Sequence, residues 1–156
     1  MKTTMKRIAA IVLVSVTALS IAACGKKNKS ISAEDFKSKL EKEGYTVTDY
    51  GEDEEVTAKL TAVNKDHSVS IVYGKFANKD DAETNFQAQK DAINSVKSEA
   101  KEQGFDIAIS SSEVIMSDAE HYSATILAGD TLVVITAEGS EDAVASAKDA
   151  KKALGL

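Results

Sequence analysis

The sequence predicts an α+β domain: two α-β-β-β repeats and a closing helix, forming a mostly antiparallel six-stranded sheet with the helices on one face. Three observations carry this expectation. Apolar residues recur at helical spacing in three segments and alternate at strand spacing in the stretches between them. A helix-stop glycine recurs in similar surroundings, in Lys42-Glu43-Gly44-Tyr45-Thr46-Val47 and in Glu102-Gln103-Gly104-Phe105-Asp106-Ile107. A strand-like run recurs too, Ser68-Val69-Ser70-Ile71-Val72-Tyr73 against Thr131-Leu132-Val133-Val134-Ile135-Thr136.

The first helix has a full start signal. Ser32 is a good N-cap with Asp35 three residues on, Ile31 and Phe36 are spaced as a hydrophobic staple, and Ala33, Phe36 and Leu40 make an apolar stripe that ends at Gly44. Strands are expected at residues 45–50, 56–63 and 68–76, the last two joined by a hairpin loop at 64–67. A second helix should start at Asn78 or Lys79 and stop at Gly104, burying Phe86, Ile93, Val96 and Ala100. Residues 105–116 read as one strand and 121–128 as the next, followed by a Gly129-Asp130 turn. Residues 131–137 are apolar on both faces, as a strand at the centre of a sheet should be. Ser140 caps a last helix with Ala143, Val144, Ala147 and Leu154 as its buried stripe. The repeat units are expected at about residues 31–77 and 78–137, with the closing helix at about 140–154. Together, residues 31–156 make one domain.

The N-terminal segment has a different character. Residues 1–7 are basic, with Lys2, Lys6 and Arg7, and residues 8–18 are apolar; together they have the layout of an export signal. Ile21-Ala22-Ala23-Cys24 follows. An aliphatic residue and two small ones before a thiol resemble the lipobox of bacterial lipoproteins, and the rest of the chain is similar to small cell-surface lipoproteins with duplicated α-βββ units. The resemblance implies that residues 1–23 are a signal peptide, cleaved between Ala23 and Cys24. It also implies a diacylglyceryl group on the Cys24 sulfur, with palmitate among the acyl chains. Residues 24–30 then form a Lys-rich tether. The resulting protein would be anchored at the outer face of the cytoplasmic membrane in a Gram-positive cell, or in the periplasm or outer membrane of a Gram-negative one.

Charge narrows the partners. The chain holds 19 basic and 25 acidic residues. Without Lys2, Lys6 and Arg7, 16 basic residues remain, a formal −9, and no arginine. Phosphate backbones are repelled by such a body, and bidentate guanidinium capture is absent, so no nucleic-acid partner is expected. The α-βββ repeat is topologically similar to the saddle-shaped sheet of the TATA-box-binding protein, but that likeness concerns the fold alone.

No motif for catalysis, metal or cofactor stands out, and the expectation is a non-enzyme with none of these. Cys24 is the only cysteine and is taken by the anchor. His121 follows Asp118 and Glu120 and precedes Ser123, but no Gly-x-Ser-x-Gly turn surrounds that serine. The acidic stretch at residues 49–55 lacks the order of a calcium loop. The remaining candidate is a sheet face bearing Thr57, Lys59, Thr61, Ser70, His121, Ser123 and Thr125, open to an envelope protein or a glycan. A non-catalytic binding module is therefore expected. Its alternatives are a small-ligand or ion-binding accessory of a transport or sensing system, with a pocket bordered by Tyr45, Tyr50, Tyr73 or Phe105, and an envelope hydrolase built on His121.

Overall fold

The computed structural model describes residues 29–156; residues 1–28, including Ala23, Cys24 and the signal segment, lie outside the described residues. The element order is α1 (Ala33–Lys42), β1 (Thr46–Gly51), β2 (Val56–Val63), β3 (Val69–Phe76), α2 (Lys79–Glu102), β4 (Asp106–Ile109), β5 (Glu113–Ser117), β6 (His121–Ala128), β7 (Thr131–Glu138) and α3 (Glu141–Leu154). Every strand pairing is antiparallel, in the order β1-β2-β3-β7-β6-β5-β4. The α+β class stands.

Local chemistry sets the helix ends. The Ser32, Asn78 and Ser140 side chains each accept a hydrogen bond from the backbone N–H three residues on, satisfying donors that a first helical turn leaves free. Gly44 and Gly104, at φ 85° and 92°, close α1 and α2 in the same way. In each, the residue after the glycine returns its N–H to a carbonyl five residues back, Tyr45 to Leu40 and Phe105 to Ala100.

The sheet has seven strands, one more than the pattern predicts. Residues 105–116 do not run straight: the chain folds back at Ser110-Ser111-Ser112, so that Ile107 pairs with Met116 and Ile109 with Val114. Ser110 closes this turn, its Oγ accepting from the Ser112 N–H and donating to the Glu113 carbonyl. The second unit is therefore α-ββββ, with β4 as an added edge.

The helices do not share one face. Leu60, Ala62, Val69, Ile71, Tyr73, Ala124, Ile126, Val133 and Ile135 point to one side and bury Phe36 and Leu40 of α1 with Ala143, Val144, Ala147, Ala150 and Leu154 of α3. The alternate residues Phe76, Val114, Leu127 and Leu132 point to the other side and cluster with Ala82, Phe86 and Ile93 of α2. Ile126 and Leu127 are neighbours in β6, and successive strand residues face opposite ways. The molecule thus has three layers, with α1 and α3 on one face and α2 on the other. This placement explains why β7 is apolar on both sides: it is central and covered twice.

Geometry fits α2 to its course. It starts beside β3 and must deliver the chain to β4, four strand spacings away, while travelling the length of a strand. That diagonal is about 32 Å, and a 24-residue helix is about 36 Å long. Ala100, near its C-terminus, accordingly packs with Met116 of β5.

Candidate functional site

Because α2 crosses obliquely from the C-terminal end of β3, where Phe76 joins its cluster, to β4, it leaves β1, most of β2 and the N-terminal half of β3 uncovered on its own face. Strand register shows which side chains meet there. One row runs Val63, Ser70, Thr136, Ser123, Met116 across β2, β3, β7, β6 and β5. The next runs Thr48, Thr61, Val72, Val134, Thr125, Val114. Thr48 is exposed, Val72 is 36% exposed, and Thr61, Ser70, Val134, Thr136 and Ser123 are half-buried. A surface of hydroxyl and branched aliphatic groups results, without a carboxylate in either row.

The predicted face residues divide accordingly. Thr61, Ser70 and Ser123 belong to this surface. Thr125 does not: it is buried, in the part of its row that ends at Val114 in the α2 cluster. Thr57 and Lys59 lie toward one end, beside a bulge between Val56 and Ala58. There the Thr57 hydroxyl donates to the Lys75 carbonyl, and the Lys59 ammonium lies 3.8 Å from Asp53. Thr48, Val134 and Thr136 lie outside the expected set; alternation with the buried Val133, Ile135 and Ala137 is the signal that includes Val134 and Thr136, whereas Thr48 joins through its pairing with Thr61. Leu127, on the same face, is covered by α2.

His121 sits at the far end of the face. Its Nδ1 lies 2.9 and 3.0 Å from the two Asp118 carboxylate oxygens, and its ring is 5.9 Å from that of Phe105, tilted by 55°. Asp118 also accepts from the N–H groups of Glu120 and His121, closing the β5–β6 turn. Burial alone would raise the Asp118 carboxyl, but these hydrogen bonds outweigh it and hold it below its ordinary value. The His–acid half of a relay is therefore built, whereas no side-chain hydrogen bond joins Ser123 to the ring. In its surroundings Asp118 is a turn-former whose third partner is the imidazole.

The four aromatic residues considered for a pocket do not converge. Tyr73 is fully buried beneath Phe36, their ring centroids 5.0 Å apart, and Tyr50 is 64% exposed at the β1 edge. The Tyr45 hydroxyl donates to the Ser146 carbonyl of α3, while Phe105 lies near His121 on the other side of the sheet. Burial raises the phenols of Tyr45 and Tyr73. His67, in the β2–β3 turn, has a φ of 60°. Among the described residues, no group of three or more His, Cys, Asp or Glu side chains is placed to hold a metal ion. None of the described helices is long and apolar enough to cross a membrane.

One further charged pair stands apart, on the α3 side. Lys151 forms an ion pair with Glu113 Oε1, a buried carboxylate oxygen whose charge it meets. Burial, with Glu113 adding to it, pushes the neighbouring Tyr122 phenol up to about 12. The Lys148 ammonium lies 5.8 Å from the centre of that ring. These contacts tie α3 to β5 and β6. No protein-family model matches the chain, and no curated protein matches it.

Proposed function

We propose that this protein is a lipid-anchored, extracytoplasmic binding module without catalytic activity of its own, and that the uncovered sheet surface around Thr61, Ser70 and Val72 is where its partner sits. The observation that supports the reading is the exposure of that surface beside a helix that covers the rest of the same face. In a domain with a formal −9 charge, a broad uncharged area suits a partner recognised by shape, apolar contact and hydroxyl hydrogen bonds. The anchor rests on the Ile21-Ala22-Ala23-Cys24 motif. It explains why a compact domain would follow a Lys-rich tether.

Two measurements test the two halves. A clickable fatty acid fed to expressing cells should label the wild type and not Cys24→Ala; equal labelling rejects the anchor. A photo-crosslinking residue placed at Thr61 should give a discrete envelope adduct that Val72→Glu abolishes, while the same residue at the exposed Ala145 of α3 gives none. Equal adducts at both positions reject the face.

A further inference from the structure

The first described residues are fastened to one end of the sheet. The Ser30 hydroxyl donates to Asp130 Oδ1 at 2.7 Å and lies 3.4 Å from the Thr131 hydroxyl. The Tyr73 hydroxyl, fully buried, donates to the Ile31 carbonyl at 2.9 Å. Ile31 itself is buried with Phe36 in the α1–α3 core. At Gly129, φ 69°, a Cβ would come within 3.1 Å of the Ser30 Cβ, so the bare glycine lets the arm lie against the β6–β7 turn. The arm is therefore part of the folded domain from Ser30 onward.

This fixes an end. The β6–β7 turn lies beside the C-terminus of β3, where the Phe76 N–H donates to the Asp130 carbonyl. The Asn64–Ser68 and Asp118–His121 turns lie at the opposite end of eight-residue strands, about 26 Å away. Only five residues, 25–29, separate Cys24 from Ser30, and they reach at most about 20 Å.

We infer that the end of the domain built by Ser30, Gly129, Asp130 and the Ala77-Asn78 junction faces the bilayer, and that the Asp118–His121 end points away from it. The inference rests on the proposed lipid anchor. Its partner is a phospholipid headgroup layer, met at close range but not entered. Glu52, Asp53, Glu54 and Glu55 lie at this same end, and their charge opposes contact with an anionic leaflet within a Debye length of about 8 Å.

Ala77 and Ala119 are exposed and lie at the two ends, which makes them suitable label sites. The full chain, processed in cells and carrying Ala77→Cys or Ala119→Cys with a donor dye, is placed in vesicles of phosphatidylglycerol and phosphatidylcholine containing an acceptor lipid. Energy transfer should be strong from position 77 and severalfold weaker from position 119. A flexible Gly-Ser insertion between Asn28 and Lys29 should reduce transfer at position 77 to the level at 119. Fatty-acid labelling in the same preparations separates the two ideas. A labelled chain with equal transfer at both positions, or one whose difference survives the insertion, overturns the orientation alone. A chain that takes up no fatty acid overturns the anchor and the orientation together.

Discussion

Phe86→Ala tests the layered architecture most directly. Phe86 is 2% exposed and is the only large aromatic side chain that α2 buries; its other buried apolar residues are Ala82, Ile93 and Ala100. Truncating a buried Phe costs about 3–5 kcal/mol, and burying Ile contributes about 2 kcal/mol with the alanines adding less. Phe86 thus supplies roughly half of what holds α2 to the sheet. The core beneath α1 and α3 is separate, so the loss should fall on α2 first. At 1.4 kcal/mol per decade, about 3 kcal/mol corresponds to a roughly hundredfold rise in local opening. Hydrogen exchange followed by mass spectrometry should show that rise across Lys79–Glu102, while the amides of β3 and β7 change far less. Uniform loss of protection across the whole domain would refute the idea that α2 docks as its own unit.

Other outcomes follow from single contacts. Tyr73→Phe leaves the Ile31 carbonyl without its buried donor and should cost about 1–3 kcal/mol in urea unfolding, with faster proteolysis before Ser32. Lys151→Met removes the partner of the buried Glu113 oxygen and should destabilise by about 1–3 kcal/mol, an effect Glu113→Gln should partly relieve in the double variant. Tyr122 has a folded pKa of about 12 against an ordinary 10.0, so its contribution to stability is intact below pH 10 and is lost as the pH rises from there toward 12. Absorbance at alkaline pH should show that late phenolate, and Tyr122→Phe should remove it. Asp118 and Asp130 are both held below the ordinary 3.8, so they stabilise the fold above that pH and lose the contribution as the pH falls beneath it. An acid transition that Asp130→Asn leaves unmoved would contradict the assignment of the Ser30–Asp130–Lys75 contacts.

Much of the fold is legible in the sequence because its punctuation is local. Ser32, Asn78 and Ser140 act through hydrogen bonds three residues long, and Gly44 and Gly104 through their own φ angles. The Ser110–Ser112 turn is harder to see. It contains no Gly, Asn, Asp or Pro, and serine competes for backbone hydrogen bonds more weakly, so β4 and β5 merge into one apparent strand. The side taken by α2 is not a helical property at all. Helical spacing identifies Phe86 and Ile93 as buried without naming the surface that buries them. The clue lay in Leu127 and Leu132, apolar on what should have been a wet face.

The candidate surface was legible in composition and not in arrangement. Period-two alternation puts Thr61, Ser70 and Ser123 on one side of their strands. Adjacency needs strand order, and the β3–β7 pairing that brings Ser70 opposite Thr136 joins residues far apart in the chain. Thr125 shows the converse. It fits the same alternation, yet it belongs to the part of the row beneath α2.

The two edges of the sheet have a consequence for a molecule held at a surface. Tethering confines neighbouring copies to a plane, where their effective concentration is far above that in solution. A long flat edge would then recruit the next copy strand by strand. Here β4 ends the sheet after four residues, and β1 is broken by a shift in register between Asp49 and Gly51, where Gly51 takes a φ of 76° and donates its N–H to the Asp49 side chain. Both margins are poor templates for a neighbour, so under the proposed lipid anchor crowding on a membrane should not drive edge-to-edge pairing of the domain.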